Sequence, residues 1–358
     1  VNAHKARRGL AGLALLGAGG LALAGCAAPP AEPTDAPEID YLACAVSDEG
    51  DWFDRSFNQA SYEGLLKAQD ELGVQIKDAE SKSIDDFQGN LTAMVDAGCD
   101  LTVAVGFNFS LNNVIFDFAD ANPDSQFLWV DGWNQGQTNL KPITYQMDQS
   151  SYLAGYLSAA YSTSKILATY GGGDFDAVTQ FMYGFYWGAK AYEEETGTPI
   201  TILGMSADGT DATSFTANFE DTTGAEAITA GFIQEGADVI FPVAGDLFTS
   251  TFKVIDESGR PDIVYLGVDK NISESSPEYS EYLLTSVEKR MTQAIFDVIK
   301  DLAVDGGTFA VDPYVGTLEN GGTALSDFTV DVDPAISSKL EELTAGIIDG
   351  SITPIPGS

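Results

Sequence analysis

Tyr41-Leu42-Ala43-Cys44-Ala45-Val46 runs into Ser47-Asp48-Glu49-Gly50-Asp51-Trp52-Phe53-Asp54-Arg55-Ser56-Phe57-Asn58-Gln59, a passage from an apolar stretch through an acidic loop to the mouth of a helix. A short continuous apolar run followed by an amphipathic stretch reads as a buried strand of a parallel sheet feeding a helix. Ser56 reads as the N-cap of a helix over 56–72 that ends at Gly73. Asp48 then sits at the carboxyl end of the strand, and Phe57-Asn58 sit at the helix mouth. An acceptor, an aromatic face and an amide converge there. A purely structural loop does not usually expose a Phe beside so many carboxylates, so the loop is read as a ligand site.

The same alternation continues along the chain. Apolar runs at 74–77, 101–105 and 127–130 alternate with helical stretches near 84–97 and 111–121. It restarts at 166–170, with later strands at 199–203, 238–242, 263–268 and 283–287 and helices between them. Strand–helix alternation of this kind marks parallel βαβ units. The fold class expected is therefore α/β, with two doubly wound Rossmann-like lobes whose strand ends face each other across a ligand cleft. Residues 39–147 plus about 270–305 are assigned to the first lobe, and residues 148–269 plus about 306–358 to the second.

The composition is globular, with 44% hydrophobic and 20% charged residues in 358. The net charge of −37 repels polyanions, so no nucleic-acid partner is expected. Lys5, Arg7 and Arg8, the apolar run 9–25 and the Pro/Ala/Glu-rich stretch 27–38 read as an export signal and a flexible linker, in preference to a transmembrane anchor. Leu23-Ala24-Gly25-Cys26 resembles a bacterial lipobox, which makes Cys26 the lipidated residue of a mature N-terminus, and Arg7-Arg8 also resembles a twin-arginine signal. Losing residues 1–25 removes three cations, moving the net charge from −37 to −40, and removes His4, the one histidine. Catalysis and metal sites that need His are thereby excluded. Cys44 and Cys99 lie in or beside apolar runs and read as two small buried thiols ahead of a disulfide. Gly171-Gly172-Gly173 reads as a turn, because no third glycine or Gly-Lys-Ser/Thr follows as a phosphate loop needs. Asp327, Asp331 and Asp333 lack the spacing of a calcium loop and read as solvated acids.

The pattern D-x-G-x-x-x-D-x-S-F-N-Q over Asp48–Gln59, followed by Tyr62-Glu63-Gly64, resembles the opening motif of the basic membrane protein family, the substrate-binding lipoproteins of ABC transporters that include purine-nucleoside receptors. Further matches follow in order: Val130-Asp131-Gly132, Ser151-Tyr152-Leu153-Ala154-Gly155, Gly184-Phe185 with Gly188-Ala189, Ala244-Gly245, Gly267-Val268-Asp269, and Thr285-Ser286-Val287 with Lys289. Two departures stand out: Asp246 where a second glycine is usual, and Lys270-Asn271 where an acidic or amide pair is common. The resemblance implies a type I periplasmic-binding fold with three crossovers that closes on a nucleoside. It implies that Phe57 stacks on the base, with Phe219 as a second aromatic, and that Asp48, Asn58 and Asp131 meet the base edge. Asp269 and Lys289 would hold ribose hydroxyls, and Gly245 would allow close approach. It further implies a monomer held on the extracytoplasmic face of the membrane by its lipid, with permease and ATPase subunits as partners, no cofactor and no catalysis. Another small polar or aromatic solute, such as a sugar or flavin, is the alternative ligand, a carboxylate-dependent hydrolase the alternative activity, and a signalling lipoprotein without a transporter the alternative role.

Overall fold

The computed structural model describes residues 39–357, so the export signal, Cys26 and the linker lie outside the described residues. The first lobe is built in chain order from β1 (Leu42–Ser47), α1 (Phe57–Leu72), β2 (Gln75–Ala79), α2 (Ile84–Asp96), β3 (Leu101–Val105), α3 (Val114–Ala121), β4 (Phe127–Val130) and β5 (Leu140–Tyr145). The chain then crosses through α4 (Met147–Tyr161) to β6 (Ile166–Gly171), α5 (Asp176–Thr196), β7 (Thr201–Leu203), α6 (Thr222–Gln234), β8 (Val239–Val243), α7 (Phe248–Ser258), β9 (Val264–Asp269), the short α8 (Ile272–Ser275) and β10 (Leu283–Lys289). It ends with α9 (Met291–Ala303), β11 (Tyr314–Gly316), β12 (Thr323–Leu325) and α10 (Pro334–Ile348). Two six-stranded sheets result, in the orders β11-β5-β4-β3-β1-β2 and β12-β10-β9-β8-β6-β7, parallel throughout except where β12 runs against β10.

Both faces of each sheet are covered, which is why the strands read as unbroken apolar runs. Side chains of a strand alternate between faces. Ala43, Ala45, Val103 and Val105 point into a core shared by both lobes. Their neighbours Cys44, Val46 and Ala104 join Phe87, Leu91, Phe109 and Trp129 under α2 and α3. In the second lobe, Ile240, Phe248 and Tyr265 play the corresponding part under α6 and α7. The helices α4 and α5 touch backbone to backbone. A Cβ on Gly155 would lie 1.9 Å from the Phe185 carbonyl, and one on Gly188 would lie 1.8 Å from the Tyr152 carbonyl. The glycines of the two motifs are therefore a packing requirement.

The crossings differ from the boundaries read in the sequence. β10 pairs with β9, so residues 270–289 extend the second sheet and do not return to the first lobe. The return begins with α9, which packs on α1. Its apolar face buries Met291, Ala294 and Ile295, and Thr292 Oγ1 donates to the Ala60 carbonyl at 2.6 Å. β11 then pairs with β5 of the first lobe before β12 goes back to the second. Three crossings thus lie side by side, tied by hydrogen bonds of 2.9 Å from Gln146 N–H to the Gly316 carbonyl and from Arg290 N–H to the Gly322 carbonyl. β5, α4, β11 and β12 have no counterpart in the sequence reading.

Cys44 and Cys99 are joined by a disulfide, with their Cα atoms 6.0 Å apart, which overturns the reading as separate thiols. The turn after α2 delivers Cys99 beside β1, because Asp100 N–H donates to the Leu42 carbonyl in the approach to β3. The bridge closes a loop over a separation of 55 residues. By loop-closure entropy a bridge of that span stabilises by about 4 kcal/mol. The double variant Cys44→Ala/Cys99→Ala is expected to lose about that much in denaturant unfolding, and reductant should lower the unfolding midpoint of the wild type but leave that of the variant unchanged.

Candidate functional site

The carboxyl ends of the two sheets enclose a cavity of about 690 Å³. All eight residues singled out as a ligand site line it: Asp48, Phe57, Asn58 and Asp131 from the first lobe, and Phe219, Gly245, Asp269 and Lys289 from the second. Two of them sit in matching positions. Asp131 follows β4 and Asp269 ends β9, each with a positive φ, of 60° and 66°. In that left-handed conformation the chain turns sharply at the strand end, a backbone state that Asp tolerates better than most residues.

The centre of the site is an ion pair. Lys289 Nζ lies 2.5 Å from Asp131 Oδ2, with side-chain exposures of only 3% and 9%. The ammonium also lies 5.1 Å from the ring centroid of Phe57, 5.5 Å from that of Tyr145 and 5.8 Å from that of Phe181. Aromatic faces and one carboxylate therefore replace its water. Asp269 lies close enough to Lys289 to feel its charge, and it accepts a hydrogen bond from Ser56 Oγ at 2.7 Å. Burial raises the Asp269 carboxyl to about 6, partly offset by Lys289 and Ser56.

Ser56 accordingly does not cap α1 with its side chain. Asp54 does so instead, accepting from the N–H groups of Ser56, Asn58 and Gln59 at 3.0, 2.9 and 2.9 Å. One carboxylate with two oxygens satisfies three donors at the helix start, which frees the Ser56 hydroxyl to reach the other lobe. Asp48 accepts from the N–H groups of Glu49 at 2.6 Å and Asn108 at 3.1 Å. Its carboxyl fits because residue 106 is glycine: a Cβ there would lie 2.2 Å from it. Burial pushes the Asp48 carboxyl up to about 7. Asn58 donates to the Glu49 carbonyl at 2.8 Å, which leaves its buried Oδ1 without a protein partner.

Several lining residues escaped the sequence reading. Phe107 follows β3 and Phe175 follows β6, and their rings stack across the cleft with centroids 4.5 Å apart. Phe219 flanks Phe175 at 6.1 Å and covers Gly172. The signal available was position: both Phe107 and Phe175 come just after a strand's carboxyl end, as Asp48 does. The wall carries nine carboxylates against three cations, Arg55, Lys82 and Lys289. Arg55 and Lys289 are already paired with Asp246 and Asp131, so a phosphate would meet uncompensated negative charge.

The Bmp family model, described as ABC transporter substrate-binding protein PnrA-like, matches residues 42–311. The ABC transporter nucleoside-binding protein BmpA of Lactococcus lactis is 28% identical over 352 residues, covering 92% of this chain and 94% of that protein. An uncharacterized lipoprotein of Pyrococcus abyssi is 29% identical over 310 residues, covering 84% of this chain and 72% of that protein. Among solved structures, an ABC transporter solute-binding protein from Aeropyrum pernix superposes with a TM-score of 0.75 at 22% identity, covering 87% of this chain and 92% of that one, which shows the shared two-lobe fold.

A carboxyl whose pKa rises on folding takes up protons as the chain folds, so stability is lost as pH climbs from the unfolded to the folded value. For Asp48 that window runs from about 4 to about 7. Asp48→Asn removes this loss. The difference in melting temperature, variant minus wild type, is expected to be more positive at about pH 8 than at about pH 5. A difference independent of pH would show that the carboxyl titrates normally.

Proposed function

The chain belongs to the family of PnrA-like ABC transporter substrate-binding proteins, and from that premise we propose that it binds a nucleoside, purines by preference, between its lobes and delivers it unchanged to the permease of an ATP-driven importer. The observation that carries this reading is the convergence of Phe57, Asp131, Asp269 and Lys289, from four separate segments, on one cavity. Phe57 offers a face for a base. Asp48, Asn58 and Asp131 offer acceptors to its edge, and the unpartnered Asn58 Oδ1 gains from a solute N–H because a buried acceptor left unpaired costs about 1–3 kcal/mol. Asp269 and Lys289, which line the cavity, would hold vicinal ribose hydroxyls, and Gly245 beside Phe219 would let the solute come close. The surplus of carboxylates favours a neutral nucleoside over its phosphate.

Calorimetry against purine and pyrimidine nucleosides, free bases, ribose and nucleoside monophosphates tests this. Phe57→Ala is expected to cost about 1–3 kcal/mol, a loss of roughly five- to 150-fold, by the usual worth of base–aromatic stacking. Asp269→Ala should cost about 1.5–3 kcal/mol and narrow the gap between ribo- and deoxyribonucleosides. Asp131→Ala should alter base preference. Absence of nucleoside binding by the wild type would remove the ligand while leaving the fold and family in place.

We propose further that Cys26 carries the lipid anchor, on the strength of Leu23-Ala24-Gly25-Cys26 behind a basic, apolar leader. Stable anchoring takes two membrane signals, such as a pair of acyl chains. Among the described residues no helix is long and apolar enough to cross a membrane. Cys26→Ser should leave the precursor uncleaved or release the protein from membranes in cell fractionation. Cleavage and membrane retention identical to wild type would place the anchor elsewhere.

A further inference from the structure

One face of α1 and the loop before it carries Arg55, Gln59 and Glu63, each four residues from the next. The three are wired together: Arg55 N–H donates to Gln59 Oε1 at 3.0 Å, and Gln59 Nε2 donates to Glu63 Oε1 at 2.9 Å. This strip faces two strand ends of the other lobe. Arg55 Nη1 reaches Asp246 Oδ2, just after β8, at 3.3 Å, and Lys270 Nζ, just after β9, reaches Glu63 Oε1 at 2.6 Å. Between them lies the bond from Ser56 Oγ to Asp269.

The signs alternate. The first lobe presents a cation and then an anion, and the second presents an anion and then a cation. Sliding one lobe along the other by the spacing of the pairs would bring like charges together, so the pairs specify register as well as attraction. Glu63 and Lys270 do not line the cavity, and Arg55 and Asp246 lie on its rim, half-exposed.

We propose that Arg55–Asp246 and Glu63–Lys270 form a two-point electrostatic clasp that holds the lobes closed. Glu63 and Lys270, which lie outside the cavity lining, are positioning residues: they set the affinity and release rate of the solute without touching it. Binding of an uncharged solute then becomes salt-dependent, since screening weakens a partly exposed pair. The clasp rests on the reading of the cavity as a solute site between closing lobes, and it is independent of which solute binds.

The test uses the full chain, with guanosine or adenosine as the probe. Glu63→Gln and Lys270→Gln should each raise the dissociation constant and the release rate by about two- to fivefold, the usual worth of a partly exposed pair. The charge swap Glu63→Lys/Lys270→Glu should return both toward wild type, a rescue that a misfolded or merely loosened variant would not show. Raising sodium chloride from low to near-molar concentration should weaken wild-type binding more than that of the double variant Glu63→Gln/Asp246→Asn. Small-angle scattering at low salt without solute should show that double variant to be more expanded than the wild type. Release rates unchanged in the single variants, or a swap no better than either single, would overturn the clasp. If the wild type binds neither nucleoside, the nucleoside reading fails and the scattering comparison alone decides: equal compactness overturns the clasp, and expansion of the variant supports it.

Discussion

An ammonium taken almost wholly out of water has to be paired, and the pairing of Lys289 reaches from one lobe to the other. Its partner Asp131 directly follows a strand of the first sheet, while Lys289 ends a strand of the second, one residue before the chain crosses back. Removing Lys289 would leave the buried Asp131 carboxylate uncompensated, a loss of about 3–5 kcal/mol. The rest of the site is arranged around that need. Phe57, Tyr145 and Phe181 supply the aromatic faces around the ammonium, and Asp269, tied to Ser56, is near enough to feel its charge. The floor of the cavity is therefore a polar contact between lobes as much as a ligand surface.

The strands and most helices were legible because fully covered parallel strands leave an unmistakable apolar run, and because Gly73 and the amphipathic stretches bound their helices. Asp48, Phe57 and Asn58 were legible by place, because in a doubly wound sheet the loops at strand carboxyl ends face the cleft. Asp131, Phe219, Gly245, Asp269 and Lys289 came from the resemblance to the family's motifs, and they line the same cavity. Phe107 and Phe175 obeyed the same rule and were passed over, since neither lies in a recognised motif.

What the sequence withheld was long-range pairing. The run 283–287 reads equally well as a strand of either sheet, and its apolar side chains say nothing about which edge it joins. β11 and β12 are three residues each, too short for any periodicity to appear. The buried surroundings of Cys44 suit a thiol as well as a bridge. Only the placement of Cys99 after α2, beside the strand that carries Cys44, decides it. Ser56 misled for a local reason: its type and position suit a cap, but Asp54, two residues earlier, is the better acceptor for three donors at once.

The adjacency of the three crossings has a mechanical consequence. They leave the sheets beside β5, β10, β11 and β12, along one flank, and the last of them is the short turn between Gly316 and Thr323. Such a strap permits rotation but almost no translation, so that flank is a pivot and displacement grows with distance from it. β6 lies four strand spacings from β12, about 19 Å, so each degree of rotation moves its end by about 0.3 Å. The Lys289–Asp131 pair sits one and two strand spacings from the flank and moves less, while the stacked rings of Phe107 and Phe175 ride on the longer arms. A rotation too small to break the buried pair is thus enough to part the rings, which makes them the sensitive end of a lever whose fulcrum is the strap.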